Sequence, residues 1–394
     1  MPPQATTKPP PPRRRRWRVR LVALGLGLLL SLLACEVTLR VYVAVRGWTP
    51  NCYVPQLQML KPHATNGYEL NPGFHYKSAT YDIAVNTHGL RGPEPTPAPG
   101  EHHQLIATLG GSSAFGYLVS DGADAARLLE TQLRSEGHDV DVLNGGVPGY
   151  NLNLTTVRYR ERIAPLKPDF VILYLGWNDL PYIVSDSPDD PRFFHGEAPP
   201  AHQRLLSHSV LYGLVKSRFL GRTLRLVPPV SDAVTPTPAG TEEFRQNLTA
   251  LVRAIRDSGA EPIVCCQVMA AHPQVDPSLF QYLSDDPTHR AQLITLGQWL
   301  HDTLKDFAAG EDLLWIDPYQ ALPPDDTILG DAIHLTKKGE QILAELLRAK
   351  LAELPEFRQP PRESRHHRKR LRVGVEDPPS AAEFNLNRFD VAHR

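Results

Sequence analysis

Residues 104–116 carry the sequence QLIATLGGSSAFG, an apolar run that ends in two glycines and two serines. A short run that is apolar throughout and bounded by glycine predicts a β-strand covered on both faces. Four further runs have the same character, at residues 140–143, 170–175, 262–266 and 313–316. Between the runs lie stretches of helical periodicity, at residues 123–136, 154–163, 242–257, 287–307 and 337–354. This alternation predicts an α/β fold, a three-layer sandwich with a central five-stranded parallel sheet.

The N-terminal region contains a longer apolar run. Six arginines between positions 13 and 20 precede the apolar residues 21–35, and residues 37–45 extend the run past Glu36 and Arg40. About 20 residues span a bilayer core, so residues 19–45 are predicted to be a transmembrane anchor. Glu36 and Arg40 are four residues apart and can pair on one helical face. The arginines should hold the Pro/Arg-rich segment 1–18 in the cytoplasm, which places the remaining chain in the periplasm or at the cell surface.

Two other interpretations of this helix stay open. A cleaved signal peptide requires small residues at the cleavage site, and Leu32-Leu33-Ala34-Cys35 offers only one. The same four residues resemble a bacterial lipoprotein box with Cys35 as the lipidated residue. The apolar pattern continues beyond Cys35, which favours an uncleaved anchor.

The rest of the chain divides by composition. Residues 46–100 are rich in Pro, Tyr, Asn and Gly and predict a small, irregular, membrane-proximal segment. Residues 101–355 form the main domain, and its long connection 181–240 is an insertion. Leu206, Val210 and Leu214 recur there at helical spacing and predict at least one extra helix, either a lid or a surface decoration. Residues 356–394 form a basic tail that is predicted to be disordered and solvated.

Charge and cysteine content exclude some classes of protein. The formal net charge of −1 argues against a nucleic-acid binder that relies on bulk electrostatics. The His and Cys spacings do not indicate a metal site, and no cofactor is expected. Cys265 and Cys266 are adjacent in a predicted strand, so they should point to opposite faces of the sheet. A disulfide from Cys52 to one of them stays open for an oxidising compartment.

Four polar motifs fall at one edge of the predicted sheet. Gly110–Ser113, Asn144–Gly149 and Gly176–Asp179 each follow a strand, and Asp331–His334 precedes the last helix. The carboxyl edge is where an open parallel sheet binds ligands. Each motif alone is typical of a turn or a helix cap. Together they contain a hydroxyl, an imidazole and a carboxylate, the three groups that nucleophilic acyl transfer requires.

The four motifs resemble the conserved blocks of the SGNH, or GDSL, hydrolase family of esterases and acylhydrolases. Gly110-Gly111-Ser112 stands where the family has Gly-Asp-Ser, so the resemblance implies that Ser112 is the nucleophile and Ser113 is not. It implies a flavodoxin-like fold and a backbone donor at Gly149. It further implies a side-chain donor at Asn178, with Asp331 and His334 as acid and base. The resemblance covers residues 104–350, and the anchored N-terminus is similar to that of membrane-tethered bacterial members. Gly111 in place of the aspartate is the one departure.

The predicted function is therefore hydrolysis of an ester. His334 would take the proton of Ser112, and Asp331 would orient the imidazole ring. The N–H groups of Ser112 and Gly149 and the Asn178 amide would form the oxyanion hole. O-acyl groups of carbohydrate or of lipid are the substrates that fit an exported, membrane-bound enzyme. Transfer of the acyl group to a sugar hydroxyl is the alternative, and a non-catalytic surface-binding protein of the same fold is a further one.

Overall fold

The computed structural model describes residues 13–96, 103–186, 197–219 and 234–358. The strands in these ranges are β1 Leu60–His63, β2 Gly67–Leu70, β3 His75–Lys77, β4 Asp82–Ala84, β5 Gln104–Gly110, β6 Val140–Asn144, β7 Phe170–Leu175, β8 Glu261–Cys266 and β9 Leu314–Ile316. The α-helices are α1 Arg13–Val45, α2 Gln56–Met59, α3 Ser112–Phe115, α4 Ala125–Ser135, α5 Leu152–Arg158, α6 Leu180–Ile183, α7 Ala201–Leu206, α8 Val210–Phe219, α9 Pro238–Asp257, α10 Pro287–Gly310, α11 Pro318–Ala321 and α12 Lys337–Leu351.

The central sheet confirms the predicted fold class. Its order is β6-β5-β7-β8-β9, and every neighbouring pair is parallel. Helices α4 and α12 contribute buried side chains to the core on one face of the sheet, and α5, α9 and α10 contribute to the core on the other. Cys265 and Cys266 belong to these two opposite cores, as their adjacency predicts. Within the described residues, which include all four cysteines, each thiol is free.

The predicted long helices form with small shifts at their ends, and side-chain caps account for where several begin. Thr336 accepts a hydrogen bond from the Gly339 N–H, so α12 begins at Lys337 as predicted. Asn151 caps α5 in the same way through the Leu154 N–H. This helix begins two residues before its predicted start and ends in a π-helical turn, Tyr159–Ile163.

The segment after α1 is more regular than its composition predicts. Strands β1 and β2 pair antiparallel, as do β3 and β4. Aromatic residues of this segment, including Tyr68, Phe74 and Tyr76, are buried in a third core together with Phe115 and Tyr150 of the main domain. Turn-forming residues therefore mark the bends between short strands, whereas the tyrosines supply a buried face that joins the segment to the domain.

Within its described residues, the insertion contains the short helices α7 and α8, in agreement with the prediction of at least one extra helix. Leu206 ends α7, whereas Val210 and Leu214 lie in α8, and Ser207–Ser209 separate the two. The Ser209 hydroxyl accepts the Tyr212 N–H and so caps α8. Residues 187–196 and 220–233 of the insertion lie outside the described residues. The same holds for residues 1–12, 97–102 and the predicted tail beyond residue 358.

The anchor helix contacts this insertion through its two charged residues. Glu36 and Arg40 form the predicted ion pair, with 2.7 Å between Oε1 and Nε. The Glu36 carboxylate also accepts the Ser209 hydroxyl and the backbone N–H groups of Val210 and Leu211, the first residues of α8. Arg40 donates to the His208 carbonyl. A carboxylate at a helix N-terminus satisfies free N–H groups, so this contact fastens α1 to α8.

Glu340 makes folding stability depend on pH. It is 1% exposed in α12 and accepts a hydrogen bond from the Ala125 N–H at the start of α4. Burial, followed by the charge of Asp124, raises the pKa of Glu340 from 4.5 to about 8. The folded protein therefore keeps a proton that the unfolded chain releases, and this contribution to stability is lost as pH rises from about 5 to 8.

We expect the stability of the native protein to fall relative to Glu340→Gln over this pH range. The difference in the free energy of unfolding between the two proteins should change by a few kcal/mol, because one pKa unit corresponds to about 1.4 kcal/mol. Urea unfolding in detergent, measured at pH 5 and pH 8, tests it. Glu345→Gln, at an exposed position of the same helix, is the matched control and should show no such trend. A Glu340→Gln protein that follows the pH dependence of the native protein would contradict the assignment.

Candidate active site

The serine turn is built by close packing at the end of β5. A Cβ atom on Gly110 would lie 2.3 Å from the Tyr174 carbonyl oxygen, so only glycine fits there. The Gly110 carbonyl accepts the Val147 N–H at 3.1 Å, which ties the turn to the loop after β6. Helix α3 then begins at Ser112, whose side chain lies at the carboxyl edge of the sheet and is 8% exposed.

Ser112, His334 and Asp331 form one chain of hydrogen bonds, although the two motifs are more than two hundred residues apart. Ser112 Oγ lies 2.7 Å from His334 Nε2, and His334 Nδ1 lies 2.7 Å from Asp331 Oδ2. Asp331 Oδ1 accepts the N–H groups of Ile333 and His334 at 2.9 and 2.8 Å. Burial raises the pKa of Asp331, but the His334 imidazole and these N–H donors outweigh it and hold the pKa below its ordinary value. An ionised Asp331 selects the His334 tautomer with the proton on Nδ1, which leaves Nε2 to accept the Ser112 hydroxyl.

Ser113 has different partners from its neighbour. Its hydroxyl donates to the Ile333 carbonyl at 2.9 Å and accepts the Gln267 amide at 2.6 Å. Gln267 Oε1 in turn accepts the Trp177 N–H at 3.0 Å. Gln267 thus connects the serine turn to the Asn178 loop, and Ser113 connects the turn to the loop that carries His334. The sequence motifs do not predict a role for Gln267. Like the other motifs, however, it is a polar residue that directly follows a strand of the central sheet, here β8.

Asn178 lies against the serine turn. Its Nδ2 atom donates to the Tyr150 carbonyl at 2.8 Å, and a Cβ atom on Gly111 would lie 2.3 Å from the same nitrogen. Glycine at position 111, where the family pattern has aspartate, is therefore what allows the Asn178 amide to approach the turn. Among the described residues, the N–H groups of Ser112 and Gly149 have no acceptor. Gly149 has φ +86°, a conformation that glycine adopts freely.

Asp179, the next residue, supports this loop from the buried side. Its carboxylate accepts the Leu152 N–H and the Tyr182 hydroxyl, both at 2.8 Å. Burial raises the pKa of Asp179 to about 6 against these hydrogen bonds. The two donors join the loop after β7 to the start of α5 and to α6.

The N-terminal segment supports the site through two contacts that the sequence did not predict. Arg91 is 2% exposed and donates to the carbonyls of Phe115, Gly116 and Val119, at and beyond the end of the serine helix. The Tyr68 hydroxyl donates to the Pro148 carbonyl at 2.8 Å, beside Gly149. Both the serine helix and the Gly149 loop are therefore held in place by residues 46–96.

The chain matches the sequence profile of the GDSL-like lipase/acylhydrolase family over residues 108–342. It belongs to this family and is a hydrolase acting on esters. This match confirms the resemblance inferred from the four motifs. A comparison with curated proteins finds no match.

Several solved structures are similar to the chain at low sequence identity. A lipase/acylhydrolase from Enterococcus faecalis is 18% identical, and the alignment covers 66% of this chain and 100% of that one with a TM-score of 0.39. A catalytic mutant of an acetylxylan esterase from Geobacillus stearothermophilus is 13% identical, with coverage of 63% and 94% and a TM-score of 0.39. A GDSL-like lipase from Bacteroides thetaiotaomicron is 13% identical, with coverage of 66% and 93% and a TM-score of 0.37.

The contact between Gly111 and Asn178 predicts a sensitive position. In Gly111→Ala the new methyl group would lie 2.3 Å from Asn178 Nδ2 and 3.0 Å from the Tyr150 carbonyl oxygen, so the Asn178 side chain has to move furthest. We therefore expect the loss of activity to be much larger than the loss of stability. Hydrolysis of p-nitrophenyl acetate should fall roughly 10²-fold, the size of effect seen when one oxyanion donor is lost. Gly310→Ala, where a Cβ meets no atom within 4 Å, is the control. Near-native activity in Gly111→Ala would show that the position of the Asn178 amide does not matter.

Proposed function

We propose that this protein is a serine esterase in which Ser112 is the nucleophile, His334 the general base and acid, and Asp331 the residue that orients His334. The observation that carries the proposal is the chain of two 2.7 Å contacts from Ser112 Oγ through His334 to Asp331. Ser112 Oγ attacks the acyl carbon while His334 Nε2 takes its proton. His334 then returns the proton to the leaving alcohol, and an acyl-enzyme remains on Ser112. Water, activated by the same imidazole, releases the acid.

The oxyanion of each tetrahedral intermediate would accept hydrogen bonds from the N–H groups of Ser112 and Gly149 and from Asn178 Nδ2. Two properties support this assignment. Both backbone N–H groups lack an acceptor within the described part of the chain. The Asn178 amide is fixed by one hydrogen to the Tyr150 carbonyl, which leaves its second hydrogen for the substrate. Donors fixed in advance stabilise developing charge without reorganisation during the reaction.

Labelling with a fluorophosphonate probe tests the nucleophile. We expect the full-length protein to be labelled and Ser112→Ala to be unlabelled, since the probe reacts only with an activated serine. Ser113→Ala is the matched control and should still be labelled, because the Ser113 hydroxyl is bonded to Ile333 and Gln267 instead of His334. Labelling that persists in Ser112→Ala, or that is lost only in Ser113→Ala, would overturn the assignment.

We infer that α1 is an uncleaved membrane anchor with the catalytic domain outside the cytoplasm. Within the described residues, Trp17–Val45 is the one helix long and apolar enough to cross a membrane. Its side chains support this inference, since most of its leucines are about half exposed or more.

Isolated membranes of cells that produce the N-terminally tagged protein show whether the helix is cleaved. We expect the protein to keep its tag and to stay in the membranes during carbonate extraction. We expect Cys35→Ala to behave identically. A mature chain that begins at Cys35 and carries lipid would instead establish the lipoprotein alternative. A soluble chain that lacks the tag would establish a cleaved signal peptide.

A further inference from the structure

A cavity of about 450 Å³ lies between the N-terminal segment and the loop that follows the serine helix. Nine of its eleven lining residues come from residues 52–83, and the other two are Tyr117 and Leu118. The nine lie outside the part of the chain that matches the family profile, residues 108–342. The cavity is therefore a feature that the N-terminal segment adds to the family fold.

Tyr117 and Leu118 connect the cavity to the reacting groups. The ring of Tyr117 lies against that of His334, with 5.0 Å between the ring centroids. Leu118 packs over Gly330, where a Cβ atom would approach Leu118 Cδ1 to 2.5 Å, next to Asp331. A ligand in the cavity is thus separated from His334 by a single side chain. It cannot be the group that Ser112 attacks, but it can be the next part of the same molecule.

The lining has the composition of a site for an uncharged, partly polar ring. Four tyrosines, Tyr53, Tyr76, Tyr81 and Tyr117, supply aromatic faces, and none of the described residues that line the cavity is charged. Tyr76 and Tyr81 donate to the carbonyls of Cys52 and Tyr117, which fixes the positions of their rings. A phosphate or carboxylate would find no counter-charge here.

Polar groups at the cavity wall distinguish a sugar from an acyl chain. Gln56 Nε2 donates to the Tyr117 hydroxyl at 2.9 Å. The Tyr117 hydroxyl proton therefore points elsewhere, and Gln56 keeps a second N–H and its carbonyl oxygen for a ligand. Thr80 adds a hydroxyl to the lining. An acyl chain would displace water from these polar groups and offer no hydrogen bonds in return. Sugar hydroxyls would make new hydrogen bonds in place of those to water. The C–H faces of a sugar ring would cover the tyrosines.

We propose that this cavity binds a neutral sugar unit of an acylated oligosaccharide, adjacent to the unit whose ester is presented to Ser112. The proposal rests on the proposed esterase function and names the substrate class of that site. It predicts that an ester on an oligosaccharide has a higher kcat/KM than the same ester on a single sugar, because the neighbouring sugar contacts Gln56 and the tyrosine faces.

The test compares substrates on the full chain in detergent. The substrates are p-nitrophenyl acetate, p-nitrophenyl decanoate, and O-acetylated mono- and tetrasaccharides of glucose, xylose and N-acetylglucosamine. We expect at least one acetylated tetrasaccharide to have a higher kcat/KM than its monosaccharide. In Gln56→Ala the ratio of kcat/KM for that tetrasaccharide to kcat/KM for p-nitrophenyl acetate should fall about three- to tenfold, mainly through KM. Gln58→Ala is the matched control, because Gln58 lies on the same helix but donates to Ser207, and the ratio should not change.

The outcomes separate this proposal from the proposed function. The cavity assignment is overturned if no tetrasaccharide exceeds its monosaccharide while Ser112-dependent hydrolysis of p-nitrophenyl acetate persists. It is also overturned if Gln56→Ala leaves the ratio unchanged, or if the substitution selectively impairs p-nitrophenyl decanoate, which would indicate an acyl-chain pocket. Hydrolysis that survives in Ser112→Ala would instead contradict the esterase mechanism itself.

Discussion

The buried guanidinium of Arg91 is the interaction on which the rest of the site depends. A charge in the protein interior is tolerated only when its hydrogen-bonding groups are matched. Arg91 meets this requirement with three carbonyls at and beyond the end of the serine helix and with Asp121, whose Oδ1 lies 2.8 Å from Nε. The Phe115 ring packs beneath it at 4.7 Å. The serine helix has only one turn, so its stability comes from these contacts rather than from its own length. The N-terminal segment is for this reason part of the structural unit that holds the serine turn.

Much of the fold could be predicted because its signals are local. Each central strand is a continuous apolar run, and α12 begins after a cap residue that is visible in the sequence. Ser112, Asp331 and His334 could be placed at one edge because parallel strands end on the same side. Arg91 and Gln267 could not be placed in the same way. Arg91 lies in a segment rich in Pro and Gly, where an arginine is usually exposed, and its partners are more than twenty residues away in the chain. The helical spacing of Leu206, Val210 and Leu214 does not reveal the break between α7 and α8, where the first residue of α8 contacts Glu36, distant in sequence.

Glycine at position 111 is coupled to the position of the Asn178 side chain. An aspartate there would bring a side chain into the space that the Asn178 amide occupies. With glycine, Asn178 approaches the turn directly and is held by the Tyr150 carbonyl. Tyr150 is itself buried against Tyr68, with 5.4 Å between the ring centroids. The N-terminal segment therefore contacts the residue that holds the Asn178 amide beside the turn.

With α1 as the proposed membrane anchor, the carboxylate of Glu36 at the start of α8 would limit how far the enzyme can reach. An anchored domain on a flexible linker samples a volume set by the length of the linker. Here α1 is bonded to α8 near its C-terminal end, and the chain that follows is packed into the third core from Cys52 onward. With α1 in a bilayer, the serine would stay at a nearly constant height above the lipid surface. The enzyme would then act on esters within one thin layer next to that bilayer, and polymer chains would have to pass through that layer to be processed.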